Sequence, residues 1–84
     1  MNKKYYKELL DKFMSTKSRA EMEDFLVGLL TPGELEQMTK RLQIVKRLKK
    51  GVRHREIADD LEVGIATVTR GSRELNRGRF RNIN

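Results

Sequence analysis

The sequence contains no cysteine, and that absence removes several kinds of site at once. Disulfide bridges, thiolate nucleophiles, cysteine-ligated zinc and iron–sulfur clusters all need the thiol group. His54 is the only histidine, and without a second histidine or a cysteine it predicts no metal site. Asp59 and Asp60 fall on different faces of a short helix and form no acid/base pair. The sequence therefore predicts a protein that is not an enzyme and binds no metal.

The sequence also lacks a long apolar stretch. Its longest apolar run, residues 25–30, is interrupted by Gly28 and falls well short of the roughly 20 residues of a membrane-spanning helix. Residues 1–7 carry three lysines with no apolar segment behind them, which is not the pattern of a signal peptide. We therefore expect a cytoplasmic protein that does not enter a membrane.

Apolar residues are scarce for a chain of 84 residues. Hydrophobic and charged residues each make up 37% of the sequence, whereas charged residues are about 25% of an ordinary globular domain. A domain of this size buries only roughly 60–65% of the surface of its unfolded chain, so a sparse core needs support from association. The composition therefore predicts one domain whose core is completed in a homodimer.

The positive charge is concentrated in the second half of the chain. Residues 1–42 hold 8 basic and 7 acidic side chains, residues 43–84 hold 11 and 5, and the net charge is +7. Residues 40–55 contain eight lysines and arginines and no carboxylate. A polyanion is the natural partner of such a stretch, although a solvated basic face without a ligand has the same composition.

Apolar residues at helical spacing predict two helices before the only proline. The first stripe predicts a helix over residues 3–14, and the second predicts a helix over residues 19–30. Ser18 and Glu21 have the spacing of a capping box, in which a hydroxyl and a carboxylate each accept from a free amide at the helix start. The stripes consist of Tyr6, Leu9, Leu10, Phe13 and Met14, then Met22, Phe25, Leu26, Leu29 and Leu30.

The proline marks the start of a third helix. Thr31 suits the N-cap, Pro32 the first helical position, and Glu34 the carboxylate of a second capping box. Gly51 supplies a C-terminal stop, which gives a helix of about 19 residues. Its predicted apolar side consists of Leu35, Met38, Leu42, Val45 and Leu48.

Two shorter helical patterns after Gly51 predict a helix-turn-helix. The first covers residues 53–61, the turn residues 62–64, and the reading helix residues 65–76, with Gly78 as its stop. We expect residues 1–51 to form a helical dimerisation core, residues 52–78 the helix-turn-helix, and residues 79–84 a basic tail that orders on a phosphate backbone. The predicted inward residues are Ile57, Ala58, Leu61, Ile65, Val68 and Leu75.

Three residues of this segment are unusual for their positions. Glu62 occupies a turn site where a glycine would ease a positive φ, which predicts either a strained turn or a different turn geometry. Thr67 and Thr69 are poor choices for a helix interior and lie off the apolar stripe. In a DNA-reading helix their hydroxyls can meet phosphates or base edges, and their methyl groups can meet thymine.

The turn and reading helix contain the run Gly64-Ile65-Ala66-Thr67-Val68-Thr69-Arg70-Gly71-Ser72, and these nine residues resemble the Trp repressor family. The resemblance implies an all-α, Trp repressor-like intertwined helical homodimer, whose two helix-turn-helix heads enter successive major grooves of duplex DNA. The nine-residue run is a specific match, and the whole resemblance covers residues 30–75. The residues that carry it are Gly64-Ile65-Ala66-Thr67-Val68-Thr69-Arg70-Gly71-Ser72, Leu30-Thr31-Pro32-Gly33-Glu34, Arg41, Ile44-Val45, Gly51 and Arg55-Glu56-Ile57.

The resemblance also implies a ligand pocket. In family members with a corepressor, tryptophan lies between the core and the reading head and sets the angle of the head. The resemblance implies that Arg41 and Arg70 correspond to the arginines that flank the indole, with Arg70 on the carboxylate. The chemistry agrees, since guanidinium planes can stack on rings and pair with carboxylates. Gly71 leaves room for the ring. The pocket implied by the resemblance consists of Thr31, Arg41, Ile44, Val45, Thr67, Arg70, Gly71 and Glu74.

The sequence departs from the family pattern around this pocket. Glu74 replaces a serine that helps to hold the ligand's amino group, and Gly28 replaces a leucine that reaches the partner's pocket. The connection after Gly51 is one residue shorter, and the helix that should follow the reading helix is missing, since the chain ends at Asn84. We expect no cofactor to be required, with L-tryptophan or a related amino acid as a candidate corepressor of weak or absent effect.

The leading hypothesis is a sequence-specific regulator of transcription, a repressor, that binds a duplex DNA operator as a homodimer and is associated with the nucleoid. The alternative is a basic module that binds RNA or a protein partner through the same surface. Phe80 is the only aromatic residue among the basic ones of this half, which counts against recognition of single strands. Base edges are predicted to contact Gly64, Ile65, Ala66 and Thr69, and phosphates to contact Arg55, Thr67, Arg41 and Lys40.

Overall fold

Five helices and no strands make up the computed structural model, which describes all 84 residues. The helices are α1 (Lys3–Ser15), α2 (Arg19–Leu29), α3 (Pro32–Lys49), α4 (His54–Leu61) and α5 (Ile65–Asn76). Each helix begins and ends close to its predicted bounds, and the bounds of α5 agree at both ends. The predicted all-α class is confirmed. None of the helices combines the length and apolar content needed to cross a membrane.

The chain divides into two compact units, Met1–Leu35 and Glu36–Asn84. In the first unit, neither α1 nor α2 contains a buried residue. The Phe13 and Phe25 rings meet edge to face with their centroids 5.5 Å apart, and Lys12 Nζ lies 5.7 Å from the centroid of Phe25. An aromatic contact of this geometry adds about 0.5–1.5 kcal/mol to the burial of the two rings and joins α1 to α2.

Capping hydrogen bonds set the starts of α2 and α3. The Glu21 amide donates to Ser18 Oγ at 3.1 Å, and the Lys17 amide donates to the Glu21 carboxylate at 3.4 Å, so the hydroxyl and the carboxylate each accept from a free amide as predicted. The box at the start of α3 is complete. The Glu34 amide donates to Thr31 Oγ1 at 3.2 Å, and the Thr31 amide donates to Glu34 Oε1 at 2.9 Å.

The ends of α3 and α5 share one hydrogen-bonding motif. At each end a glycine in the left-handed region, Gly51 at φ 80° and Gly78 at φ 91°, donates its amide to the carbonyl three residues earlier. The next residue donates to the carbonyl five residues earlier, which completes a Schellman motif. Both predicted glycine stops are confirmed.

The core of the second unit lies where α4 and α5 meet the C-terminal half of α3. Ile44 of α3, Ile57 of α4 and Val68 of α5 are almost completely buried, each at 1% exposure or less. Burial of one such side chain contributes about 1.5–3 kcal/mol to folding. Ala58 completes the buried cluster, and the residues packed around it are Leu48, Val52, Leu61 and Val63.

Some of the predicted inward positions are exposed in this chain. Met38 and Leu42 are 44% and 46% exposed, because α3 contributes to the core only through the more C-terminal Ile44, Val45 and Leu48. Ile65 was also predicted to point inward, and this prediction is wrong, since it is 51% exposed. Ile65 is the first residue of α5, at the end of the helix, whereas Val68 in the next part of the helix is buried in the core. Its side chain is therefore available on the surface.

Candidate nucleic-acid interface and pocket

The turn between α4 and α5 is built on a glutamate in a conformation that favours glycine. Glu62 has φ 54° and ψ 48°, so the left-handed alternative considered for this site is the one adopted. The Glu62 amide donates to the Asp59 carbonyl at 3.3 Å, and the Val63 amide donates to the Ala58 carbonyl at 3.0 Å. These two bonds form a third Schellman motif. A left-handed backbone costs a residue with a Cβ about 1 kcal/mol. The turn thus carries strain in exchange for a sharp reversal between the helices.

Burial of Val68 turns the opposite side of α5 toward solvent. All four residues predicted to read base edges, Gly64, Ile65, Ala66 and Thr69, are exposed at the start of this helix. Gly64 is the N-cap and offers no side chain to the free amides of the first turn. Free amides at a helix N-terminus favour anions such as phosphate. Thr67, predicted to face phosphate, is only partly exposed.

The hydroxyl of Thr69 is engaged within its own helix. Thr69 Oγ1 donates to the Ile65 carbonyl at 3.0 Å. A threonine hydroxyl has one proton to donate and two lone pairs that accept, so the acceptor function and the methyl group stay available. The exposed end of Thr69 is therefore an acceptor beside a methyl group.

The remaining residues predicted to contact phosphate have different surroundings. Arg55 is exposed on α4 and forms no ion pair. Lys40 is less accessible, with 33% of its side chain exposed and its Nζ 3.7 Å from Glu36 Oε1. Such surface pairs contribute about 0–1 kcal/mol, so a phosphate can compete for the lysine. Arg41 lies at a pocket between α3 and α5.

That pocket has a volume of about 140 Å³ and brings together six of the eight residues implied by the family resemblance. Thr31 and Thr67 are not among its lining residues. Gly71 accounts for the close approach of the two helices, because a Cβ at this position would lie 3.2 Å from Ile44 Cγ2 and 3.4 Å from Leu48 Cδ1. The lining residues are Arg41, Ile44, Val45, Arg70, Gly71, Glu74 and Phe80.

The charges around the pocket are unbalanced toward positive. Glu74 Oε1 accepts from Arg77 Nη1 at 2.9 Å and Glu74 Oε2 lies 3.8 Å from Arg79 Nε, so its carboxylate is already paired with two arginines. Arg41 and Arg70 take part in none of the ion pairs of the chain. An anionic group is therefore the better electrostatic match to the pocket, and an ammonium group must compete for Glu74.

The sequence reasoning missed Phe80 and Lys49 in this region. Residues 78–83, which we call the C-terminal strap, fold back on the second unit. Lys49 Nζ at the end of α3 donates to the carbonyls of Phe80 and Ile83. The signal that could have found this contact is the spacing of Phe80 and Ile83, two apolar residues three positions apart in an otherwise polar tail.

Comparisons with known proteins agree with this architecture. The chain matches the family model described as Trp repressor protein over residues 4–81. It is 40% identical over 73 residues to the Trp operon repressor homolog of Vibrio campbellii, which covers 86% of this chain and 73% of that protein. The Trp operon repressor homolog of Vibrio cholerae is 39% identical over 71 residues, covering 83% of this chain and 69% of that protein.

A relative outside the genus Vibrio is similar over the same span. The Trp operon repressor homolog of Actinobacillus succinogenes is 36% identical over 75 residues, which is 88% of this chain and 74% of that protein. No solved structure matches the chain significantly. The family match extends well beyond the reading helix and takes in α1, α2 and most of the strap. The chain belongs to the Trp repressor family.

Proposed function

We propose that this member of the Trp repressor family represses transcription by binding a duplex DNA operator sequence-specifically as a homodimer. The observation that carries the proposal is the exposed start of α5, which follows a tight turn and lies in the half of the chain with 11 basic and 5 acidic side chains. An α-helix fits the major groove, where each base pair displays a distinct pattern of donors and acceptors. The start of α5 is the part that enters the groove.

Specific reading is assigned to the exposed side chains at the start of α5. Since the Thr69 hydroxyl donates to Ile65, its free lone pairs accept from an amino group, which in the major groove belongs to adenine N6 or cytosine N4. Ile65 and Ala66 offer only apolar surface and match the methyl group of thymine. A site that contains these bases is favoured over one with guanine at the position of Thr69.

Affinity that is independent of sequence is assigned to the basic residues and to helix ends. Arg55 and Arg41 are exposed and unpaired. Lys40 leaves its weak ion pair with Glu36 to bind phosphate. Thr67, which is partly exposed on α5, also contacts phosphate. Each phosphate contact releases counterions, so affinity of this kind falls steeply with salt. These contacts position α5 without reading bases.

A homodimer explains the apolar side chains that the single chain leaves exposed. Helices α1, α2 and α3 carry most of these residues. A second copy that covers them also supplies a second reading helix, and paired heads bind half-sites about 34–36 Å apart along one face of the DNA. The exposed apolar residues on α1, α2 and α3 are Tyr5, Tyr6, Leu10, Met14, Val27, Leu29, Met38 and Leu42.

Tryptophan is at most a weak corepressor in this proposal. The pocket keeps the two arginines that would stack on a ring and pair with a carboxylate, but its acidic residue is already bound to Arg77 and Arg79. A ligand shifts DNA binding only as far as it favours the competent orientation of the head. DNA binding is therefore expected without tryptophan.

The test is a selection of duplex sequences by the full chain, followed by anisotropy titrations with the selected duplex, a scrambled duplex and a single-stranded RNA of the same length. Thr69→Val keeps the shape of the side chain but removes the acceptor, and should change the preferred base at one position of each half-site. Lys40→Met should weaken all duplexes alike. Equal affinity for the three nucleic acids would refute specific binding to an operator and would favour a basic module that binds nucleic acids generally.

A further inference from the structure

The C-terminal strap is tied to both helices that form the pocket. Lys49, at the end of α3, donates to two of its carbonyls, and Arg79 pairs with Glu74 of α5 at 3.8 Å. Within the strap, Arg81 Nε donates to the Gly78 carbonyl at 3.1 Å. The strap therefore has fixed points on α3 and on α5, with Phe80 between them.

Phe80 adopts a backbone conformation that needs compensation. Its φ of 63° lies in the left-handed region, which a residue with a bulky side chain rarely adopts. Phe80 lines the pocket together with Ile44 and Val45, and the residue as a whole is 38% exposed. The hydrogen bond from Lys49 Nζ to the Phe80 carbonyl supplies part of that compensation.

The space left beside Phe80 is small. Its volume of about 140 Å³ is close to the 150 Å³ or so of an engineered cavity that accepts benzene, and below the roughly 300–1,000 Å³ of ordinary ligand sites. Tryptophan carries an indole together with an amino-acid backbone and is considerably larger than benzene. With the strap in place, the pocket can enclose only part of it.

We propose that Phe80 is the resident aromatic ring of this pocket and that Lys49 keeps the strap closed over it. The ring of the chain itself then stands where a free aromatic ligand would bind, and such a ligand enters only when the strap opens. The apparent affinity for the ligand equals the affinity of the open form multiplied by the fraction of molecules that are open. The proposal rests on the proposed function only where it concerns the regulation of DNA binding. The closure of the strap over the pocket can be tested without DNA.

The first test uses methyl NMR spectra of the full chain. An aromatic ring shifts the signals of methyl groups packed against it, so the Ile44 and Val45 signals report on Phe80. Phe80→Leu, which keeps an apolar side chain but removes the ring, should move these signals toward ordinary positions. Lys49→Met should move them in the same direction, whereas its neighbour Lys50→Met should not. Unchanged Ile44 and Val45 signals in Phe80→Leu or Lys49→Met would overturn the proposal.

The second test adds L-tryptophan to the wild-type chain and follows Ile83 as a reporter of the strap. Two results support the proposal: no change at any of these methyl groups, or a change at the pocket methyls together with Ile83. A change at Ile44 and Val45 while Ile83 stays fixed would mean that the ligand enters beside a closed strap, and would overturn it. Because DNA is absent, failure of operator binding and failure of the strap give separate results.

Discussion

The close packing of α5 on α3 at Gly71 predicts whether a larger residue there stabilises or destabilises the protein. Replacement of a glycine inside a helix by alanine stabilises by about 0.8–1.0 kcal/mol when nothing opposes the new methyl group. Here the new Cβ lies 3.2 Å from Ile44 Cγ2, and Ile44 is only 1% exposed and packed in the core cluster, so its side chain must shift against its packed neighbours. Leu48 Cδ1, at 3.4 Å, is the far end of a flexible side chain and yields more easily.

Overpacking of a closed core costs about 1–3 kcal/mol, which exceeds the gain in helix propensity. We therefore expect Gly71→Ala to destabilise the protein by about 1 kcal/mol, which lowers the melting temperature by about 4–8 °C for a domain of this size. Circular dichroism during thermal and urea unfolding measures both quantities. Protein concentration must be held constant, since dimerisation makes stability depend on it.

Gly33→Ala is the matched control, because a Cβ at Gly33 in the first turn of α3 meets nothing within 4 Å. This variant should be as stable as the wild type or more stable by up to about 1 kcal/mol. If Gly71→Ala were stabilised to the same extent as Gly33→Ala, α5 would be free to move away from α3. The explanation of Gly71 by close packing would then be refuted.

Four further predictions concern the turn, the acid stability, the salt dependence and the ligand. Glu62→Gly should be about 1 kcal/mol more stable than Glu62→Ala in urea unfolding, because only glycine adopts the left-handed backbone without strain, and equal stabilities would contradict this. Hydrogen bonds from the Thr31 amide and then its hydroxyl hold the pKa of Glu34 below its ordinary value of 4.5, so its stabilising effect is complete above that value and is lost as the pH falls through the lowered pKa. Glu34→Gln should flatten this part of the acid unfolding profile, and superimposable profiles would count against the capping charge. Operator affinity should fall by orders of magnitude between low and physiological salt, and an affinity indifferent to salt would remove the electrostatic argument. Calorimetry should show weak or no tryptophan binding to the wild type, whereas tight binding that is lost in Arg70→Ala and raises operator affinity would restore a tryptophan-dependent repressor.

The sequence by itself determined the helices, their order and the family. Thr31 and Glu34 satisfy each other's amides across three positions, and Gly51 and Gly78 provide the left-handed backbone that ends a helix. These are local effects, because the interacting atoms are at most a few residues apart and need no distant partner. The same holds for the nine-residue run that ends at Ser72, which can be recognised without knowing what packs against it.

Only the tertiary structure decided which side chains are buried and which charges are paired. The helical period allowed several faces of α3 to point inward, and the docking of α4 and α5 selected Ile44 while leaving Met38 and Leu42 exposed. The resemblance placed Glu74 in the pocket, and the structure shows in addition that its carboxylate is paired with Arg77 and Arg79.

The strap shows most directly why the sequence alone does not reveal contacts between helices. Lys49 and Phe80 are 31 residues apart in the chain, and their contact exists because the motifs at the ends of α3 and α5 turn both segments toward the same surface. Spacing in a sequence reports on neighbours within a helix, where geometry is set by the backbone hydrogen bonds. Contacts between helices depend on how whole elements pack, and that information is distributed over the entire core.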